Sequence, residues 1–236
     1  MNDTDTKVRV EAREEPGKNG RTKRVLYTSE GRQVSCHSHD CEKELHCFYV
    51  NTERPDIPKG RCQGCGEDLI EWHRPRRRDA FDMDHTISEM KREWIRHHFW
   101  TCEVDDNAKR LAHLRGQKKL RKMLRDELVG HLARPHPFKD GFAVGYDGDP
   151  IRYVRHATAS CCRNCAEYWH GIEPGTEMTA EQIDYLAEIG IRFLRERFPD
   201  CGEEPDYSYR AGGVNSGITR CKPLRSLKQK PREFQP

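Results

Sequence analysis

The sequence predicts an α+β fold, with a cysteine-rich N-terminal element ahead of a mainly helical C-terminal part. Three observations carry this. Cys36, Cys41, Cys62 and Cys65 gather in the first third, where short apolar runs such as HCFYV are bounded by turn residues. Leu120, Leu124, Leu128 and Leu132 step by four through an otherwise polar stretch, the spacing of one helix face. Cysteine and histidine then return together in HATASCCRNCAEYWHGI, residues 156–172.

Composition narrows the class. The chain has 236 residues, of which 34% are hydrophobic and 34% charged. That is thin material for a core, and such chains are often stapled by metals or disulfides. The first residues, MNDTDTKVRVEAREE, lack an apolar run, so no signal peptide is expected. No stretch approaches the roughly 18 apolar residues of a membrane helix. A cytoplasmic location with no membrane partner is therefore expected, and disulfides rarely persist there. Eleven cysteines is also an odd number, which argues against complete pairing. Cysteine-rich and cytosolic reads as metal, less often as redox chemistry.

Taken in order, residues 1–31 are polar, mixed in charge and punctuated by Pro16, Gly17 and Gly20, and read as mostly disordered. Residues 32–75 form a zinc-ribbon-like element. It has strand-like pieces around Cys36 and Cys41, then GRCQGCGEDLIEW, a turn leading into an apolar strand-like run. Residues 76–135 form a basic helical region. A helix is predicted over 86–99, with Thr86 and Glu89 as its capping box and Ile87, Met90, Trp94 and His98 on one face. A longer one is predicted over 107–133, broken near Gly116 and ended by Pro135 and Pro137. Residues 136–200 hold the second Cys/His module, with a strand at 151–155 and a closing helix over about 180–198 capped by Thr179 and Gln182. Residues 201–236 form a basic flexible tail. From Tyr209 onward it has seven Lys/Arg against one Glu.

The cysteine spacing suggests one or two zinc sites. Twenty residues separate Cys36 and Cys41 from the Cys62–Cys65 pair, near the spacing of paired zinc knuckles. A CxxC turn aims both sulfurs at one point, and Gly66 permits the left-handed turn that follows. Four such sulfurs make a closed, structural site. His37, His39, His46 and Cys47 are nearby substitutes for one ligand. The second module reads C-x2-C-x4-H through Cys162, Cys165 and His170, with Gly175 where a fourth ligand would fall. His156, Cys161 or Cys102 can supply that ligand, or the position is open to water. Buried structural thiols and a redox pair remain alternatives. A zinc deaminase is rejected, because Thr158 stands where H-x-E needs its glutamate and no proline precedes the CxxC.

The run HATASCCRNCAEYWHGI, with the following GTEMTAEQIDYL, resembles an uncharacterised bacterial domain-of-unknown-function family with the pattern HATAxCCRxCxxxWHGI. PKGRCQGCG, EWHRPRRRDA and IRHHFW look like its longer members, so the resemblance covers roughly 45–199. It marks His156 and Trp169 as more than incidental. It implies a metal-binding bacterial or phage protein and brings no activity with it.

Two further features bear on function. Asp84-His85, after a CxxCG, suggests an HNH-like nuclease in which histidine is the base, although the stretch up to Cys162 is largely helical rather than a compact ββα unit. Glu167 is a further candidate acid. Arg76, Arg77 and Arg78, with Lys118, Lys119, Arg121 and Lys122, form basic stretches able to track a phosphate backbone, or simply a solvated face. No phosphate loop, GxSxG or HExxH is present. The expected protein is a zinc-containing, nucleic-acid-associated one with mainly structural metals. A metal-dependent nuclease and a protein-interaction adaptor are the alternatives; substrate and oligomeric state stay open.

Overall fold

The leucine row is the spine of the fold. In the computed structural model, residues 10–16, 22–28, 30–50, 54–138, 140 and 144–210 are described. Leu120, Leu124, Leu128 and Leu132 are all buried. They lie on α4 (Asp106–Glu127) and the π turn that continues it through Leu132. Asp105 caps α4 by accepting from the Ala108 N–H at 2.9 Å.

The predicted break falls at Gly116, whose φ of 71° is left-handed. The interrupted ladder frees the N–H groups of Gln117 and Lys118, which donate to Gly202 O at 2.8 Å and Glu203 O at 3.1 Å. A Cβ on Gly116 would meet the Glu204 carbonyl carbon at 2.5 Å. Both the conformation and the close approach require glycine.

After the short α1 (His73–Arg77), five other helices complete the core: α2 (Met83–Met90), α3 (Trp94–Thr101), α5 (Pro150–Ala157), α6 (Arg163–His170) and α7 (Ala180–Arg197). The Thr179–Gln182 capping box on α7 forms as predicted, with bonds of 3.0 and 3.3 Å. Gly190 lets α7 approach its neighbours; a Cβ there would meet Leu124 at 2.5 Å and Val154 at 2.8 Å. One continuous buried cluster runs from Leu26 to Cys201. The segments drawn at 75 and 135 therefore share a single core.

Five local expectations are corrected. Residues 151–155 are helical within α5, not a strand. Asp149 accepts from the Ile151 N–H at 2.9 Å and Pro150 opens the first turn, so the start signal outweighs the β-branched run. The helix over 86–99 is two helices, α2 (Met83–Met90) and α3, parted at residues 91–93. There the His46 N–H donates to Arg92 O and the Trp94 N–H to His46 O, both at 2.8 Å, and this distant bridge interrupts the ladder. Thr86 lies inside α2 and donates to Asp82 O at 3.3 Å, so it caps nothing.

The strand-like runs of 32–50 form only isolated bridges and the run in 60–72 forms none, because their backbone groups close turns instead. Within the segment read as disordered, β1 (Val10–Pro16) and β2 (Thr22–Thr28) pair antiparallel, with Val25 and Leu26 buried. The basic tail from 211 onward lies outside the described residues.

Candidate metal centres

Among the described residues, two groups of side chains can hold a metal ion. The first joins Cys41, His46, Cys62 and Cys65, whose ligand atoms all lie within 4.8 Å of one another. Cys41 opens a one-turn 3-10 segment, Cys41–Lys43, closed by Glu44 at a left-handed φ of 57°. That reversal returns the chain to His46, which the bridge to residues 92–94 fixes. The Cys62–Cys65 turn is closed by the Gly66 N–H donating to Cys62 O at 2.8 Å, with Gly66 at φ 84°.

Inside this group Cys41 Sγ and Cys62 Sγ are 3.7 Å apart, and Cys65 Sγ and His46 Nδ1 also 3.7 Å. The other ring nitrogen, His46 Nε2, is buried without a hydrogen-bond partner, with the exposed Glu44 Oε2 3.6 Å away. A Cβ on Gly64 would stand 3.0 Å from Cys41 Sγ, so the turn packs directly on a ligand. Burial raises the Cys62 thiol, but N–H groups of Cys47, Cys65 and Gly64 outweigh it and bring the pKa to about 6. Burial and the neighbouring Cys62 push Cys41 up to about 12. One thiolate is thus preformed, and its charge holds the next thiol protonated until a cation arrives.

The second group joins Cys36, Cys161 and Cys165. Cys162 adjoins it: its Sγ accepts from the Cys165 N–H at 3.4 Å and touches the thiols of Cys161 and Cys165. Cys162 is the N-cap of α6, which places Cys165 in the first helical turn. Ala159, at φ 53°, makes the bend from α5 that presents Cys161. Cys161, Cys162 and Cys165 are all buried. Contacts with Cys162, Cys165 and Cys36 pull Cys161 well down, while the same crowding pushes Cys36 and Cys162 up.

Arg96, fully buried on α3, donates to Cys165 Sγ at 3.1 Å and faces Cys161 Sγ at 3.9 Å. Glu93, equally buried, accepts from it at 3.1 Å. Sequence reasoning missed this pair. The one available signal was a Glu and an Arg three apart in the otherwise apolar and aromatic run EWIRHHFW.

The expected ligands are thus regrouped. Cys36 sits with the C-terminal module rather than with Cys41, Cys62 and Cys65, and His46 completes the first group in its place. The turn after Cys36, closed by the Ser38 N–H to Ser35 O at 3.1 Å, separates the two thiols that spacing paired. Neither predicted histidine belongs to the second group. His156 is stacked between Phe99 and Tyr146 at 5.0 and 4.6 Å, with both ring nitrogens unpartnered. His170 Nε2 bonds Thr158 O at 2.9 Å.

The candidate catalytic residues are scattered. Asp84 pairs with Arg192, and Glu167 with Lys59. His85, next to Asp84, joins no metal group among the described residues.

The basic residues have partners within the chain. Arg76 lies over the Trp72 ring at 5.0 Å and donates to Tyr168 O at 3.3 Å. Arg78 donates to His170 O, and Arg77 lies 3.7 Å from Asp82. Lys118 reaches Glu204 at 3.4 Å, Arg121 grips Glu203, and Lys122 bonds Asp126 at 2.6 Å. Lys119 is exposed on the same helix.

No helix among the described residues is long and apolar enough to cross a membrane. Residues 84–195 match the family model described as a domain of unknown function (DUF4186). The match takes in Cys161, Cys162 and Cys165 but none of the four N-terminal ligands. No solved structure matches the chain.

Proposed function

We propose that this protein, whose residues 84–195 match the DUF4186 family model, is a structural module built around two zinc sites. The observation that carries the reading is the second group, Cys36 with Cys161 and Cys165. Cys36 comes from outside the family domain and Cys161 and Cys165 from inside it, so a metal there staples the N-terminal segment to the helices. We assign the fourth sulfur to the adjoining Cys162, whose thiol touches those of Cys161 and Cys165. Every C-terminal thiol of the group is buried, the setting of a structural site.

Zinc fits both donor sets. A tetrahedron with Zn–S near 2.3 Å has edges of roughly 3.8 Å, close to the 3.7 Å separations of the first group. Sulfur and imidazole donors without a carboxylate disfavour calcium and magnesium. The free state of all the described cysteines agrees with a reducing, cytoplasmic compartment. Metal content per chain by mass spectrometry tests this. We expect two zincs in the native chain and one each in Cys62→Ser and Cys165→Ser. A metal-free native chain, or unchanged content in both variants, sinks it.

A second reading concerns nucleic acid. The folded cations are largely engaged by acids or carbonyls of the same chain, which leaves the tail, with seven Lys/Arg against one Glu from Tyr209 on, as the contact. Oligonucleotide binding should weaken with salt and vanish when the chain ends at residue 210. Equal binding by the shortened chain would remove the tail from this role.

A further inference from the structure

Arg96 is a buried cation, and a guanidinium stays charged at any pH a protein meets. Its donors are all engaged. Nε donates to Glu93 Oε2 at 3.1 Å. Nη1 donates to the His156 carbonyl and faces Cys161 Sγ at 3.9 Å. Nη2 donates to Cys165 Sγ at 3.1 Å and to the Tyr168 hydroxyl at 3.0 Å. Glu93 is held in turn by the Tyr168 hydroxyl at 2.7 Å and by the Trp169 indole N–H. A neutral thiol is a weak acceptor, whereas a thiolate is a fit partner for such a donor.

The two centres differ in charge. Three thiolates, a neutral histidine and a divalent ion leave one negative charge at the first, where Cys65 is exposed. With Cys162 assigned as the fourth ligand, four thiolates leave two at the second, whose C-terminal thiols are all buried. Unrelieved charge in such a place is costly.

We propose that Arg96 is a positioning residue of the second centre, donating to the Cys165 and Cys161 thiolates from outside the metal and offsetting their charge. Glu93, Tyr168 and Trp169 hold its fork in register. The assignment rests on the zinc reading of that centre.

Cobalt(II) binding to the full chain carrying Cys62→Ser, which disables the first centre, provides the test. Thiolate-to-cobalt charge-transfer absorption from one bound ion establishes the second centre. Its absence overturns the zinc reading itself and the role of Arg96 with it. Given that signal, adding Arg96→Met should weaken cobalt binding by roughly 10- to 100-fold, the usual effect of losing an outer hydrogen bond, and shift the absorption. Affinity within about twofold and an unshifted band would overturn the role of Arg96 alone. If Arg96→Met fails to fold, Arg96→Lys decides. Lysine keeps the charge but cannot fork to both sulfurs, so the band should still shift; an unshifted band rejects the proposal.

Discussion

His98 on α3 is a buried histidine stacked on Trp94 with ring centroids 5.5 Å apart. Burial, reinforced by the charges of His97 and His156, lowers its pKa to about 4 from the ordinary 6.5. Above 6.5 neither the folded nor the unfolded chain protonates it, and it has no effect on stability. As pH falls from 6.5 toward 4, the unfolded chain takes a proton that the folded chain refuses, so stability is lost over that window. The loss is on the order of 1–3 kcal/mol by pH 4. We expect the denaturant midpoint to fall between pH 7.5 and pH 5.5, and to fall less in His98→Phe. Equal falls in both proteins would assign the acid sensitivity elsewhere. His98 was legible as a residue on the apolar face of a predicted helix. Its depressed pKa was not, because burial is a property of what packs around it.

At the scale of elements, α4 is the part the sequence described best. Its leucine spacing and its glycine break are local signals, and both survive in the fold. What the break does was not legible, since the partners of Gln117 and Lys118 lie some 85 residues downstream. Gly116→Ala should therefore cost about 2 kcal/mol or more, from the left-handed φ together with the clash against Glu204. Chemical denaturation checks it; a loss of a few tenths would mean that segment 202–206 gives way freely. The elements misread were those whose ends are set at a distance. The bridge to His46 splits α2 from α3. The zinc-ribbon-like element has no strand among its described residues, because its backbone closes turns around sulfur instead.

Across the whole molecule, the long-range ties concentrate on α6. Cys36 meets Cys165 of α6 and Cys161 just before it, Arg76 and Arg78 hold its last carbonyls, and Arg96 and Glu93 brace its sulfur, its tyrosine and its tryptophan. The basic run at 74–78, read as a phosphate-tracking patch, is part of this clamp. On α4, Lys118 and Arg121 pair with Glu204 and Glu203, while Lys118, Lys119 and Lys122 stay exposed.

By itself the sequence determined that cysteines would gather, that Cys62 and Cys65 would face one point, that Cys165 would stand among the C-terminal thiols, and where the long helices lie. Those are consequences of spacing within a few residues. Only the tertiary structure decided that Cys36 belongs with Cys161 and Cys165, that His46 completes the other group, and that Arg96 lies against the buried thiols. A chain can return to the same point from any distance, and a ligand's partner is set by that return and not by its neighbours in sequence.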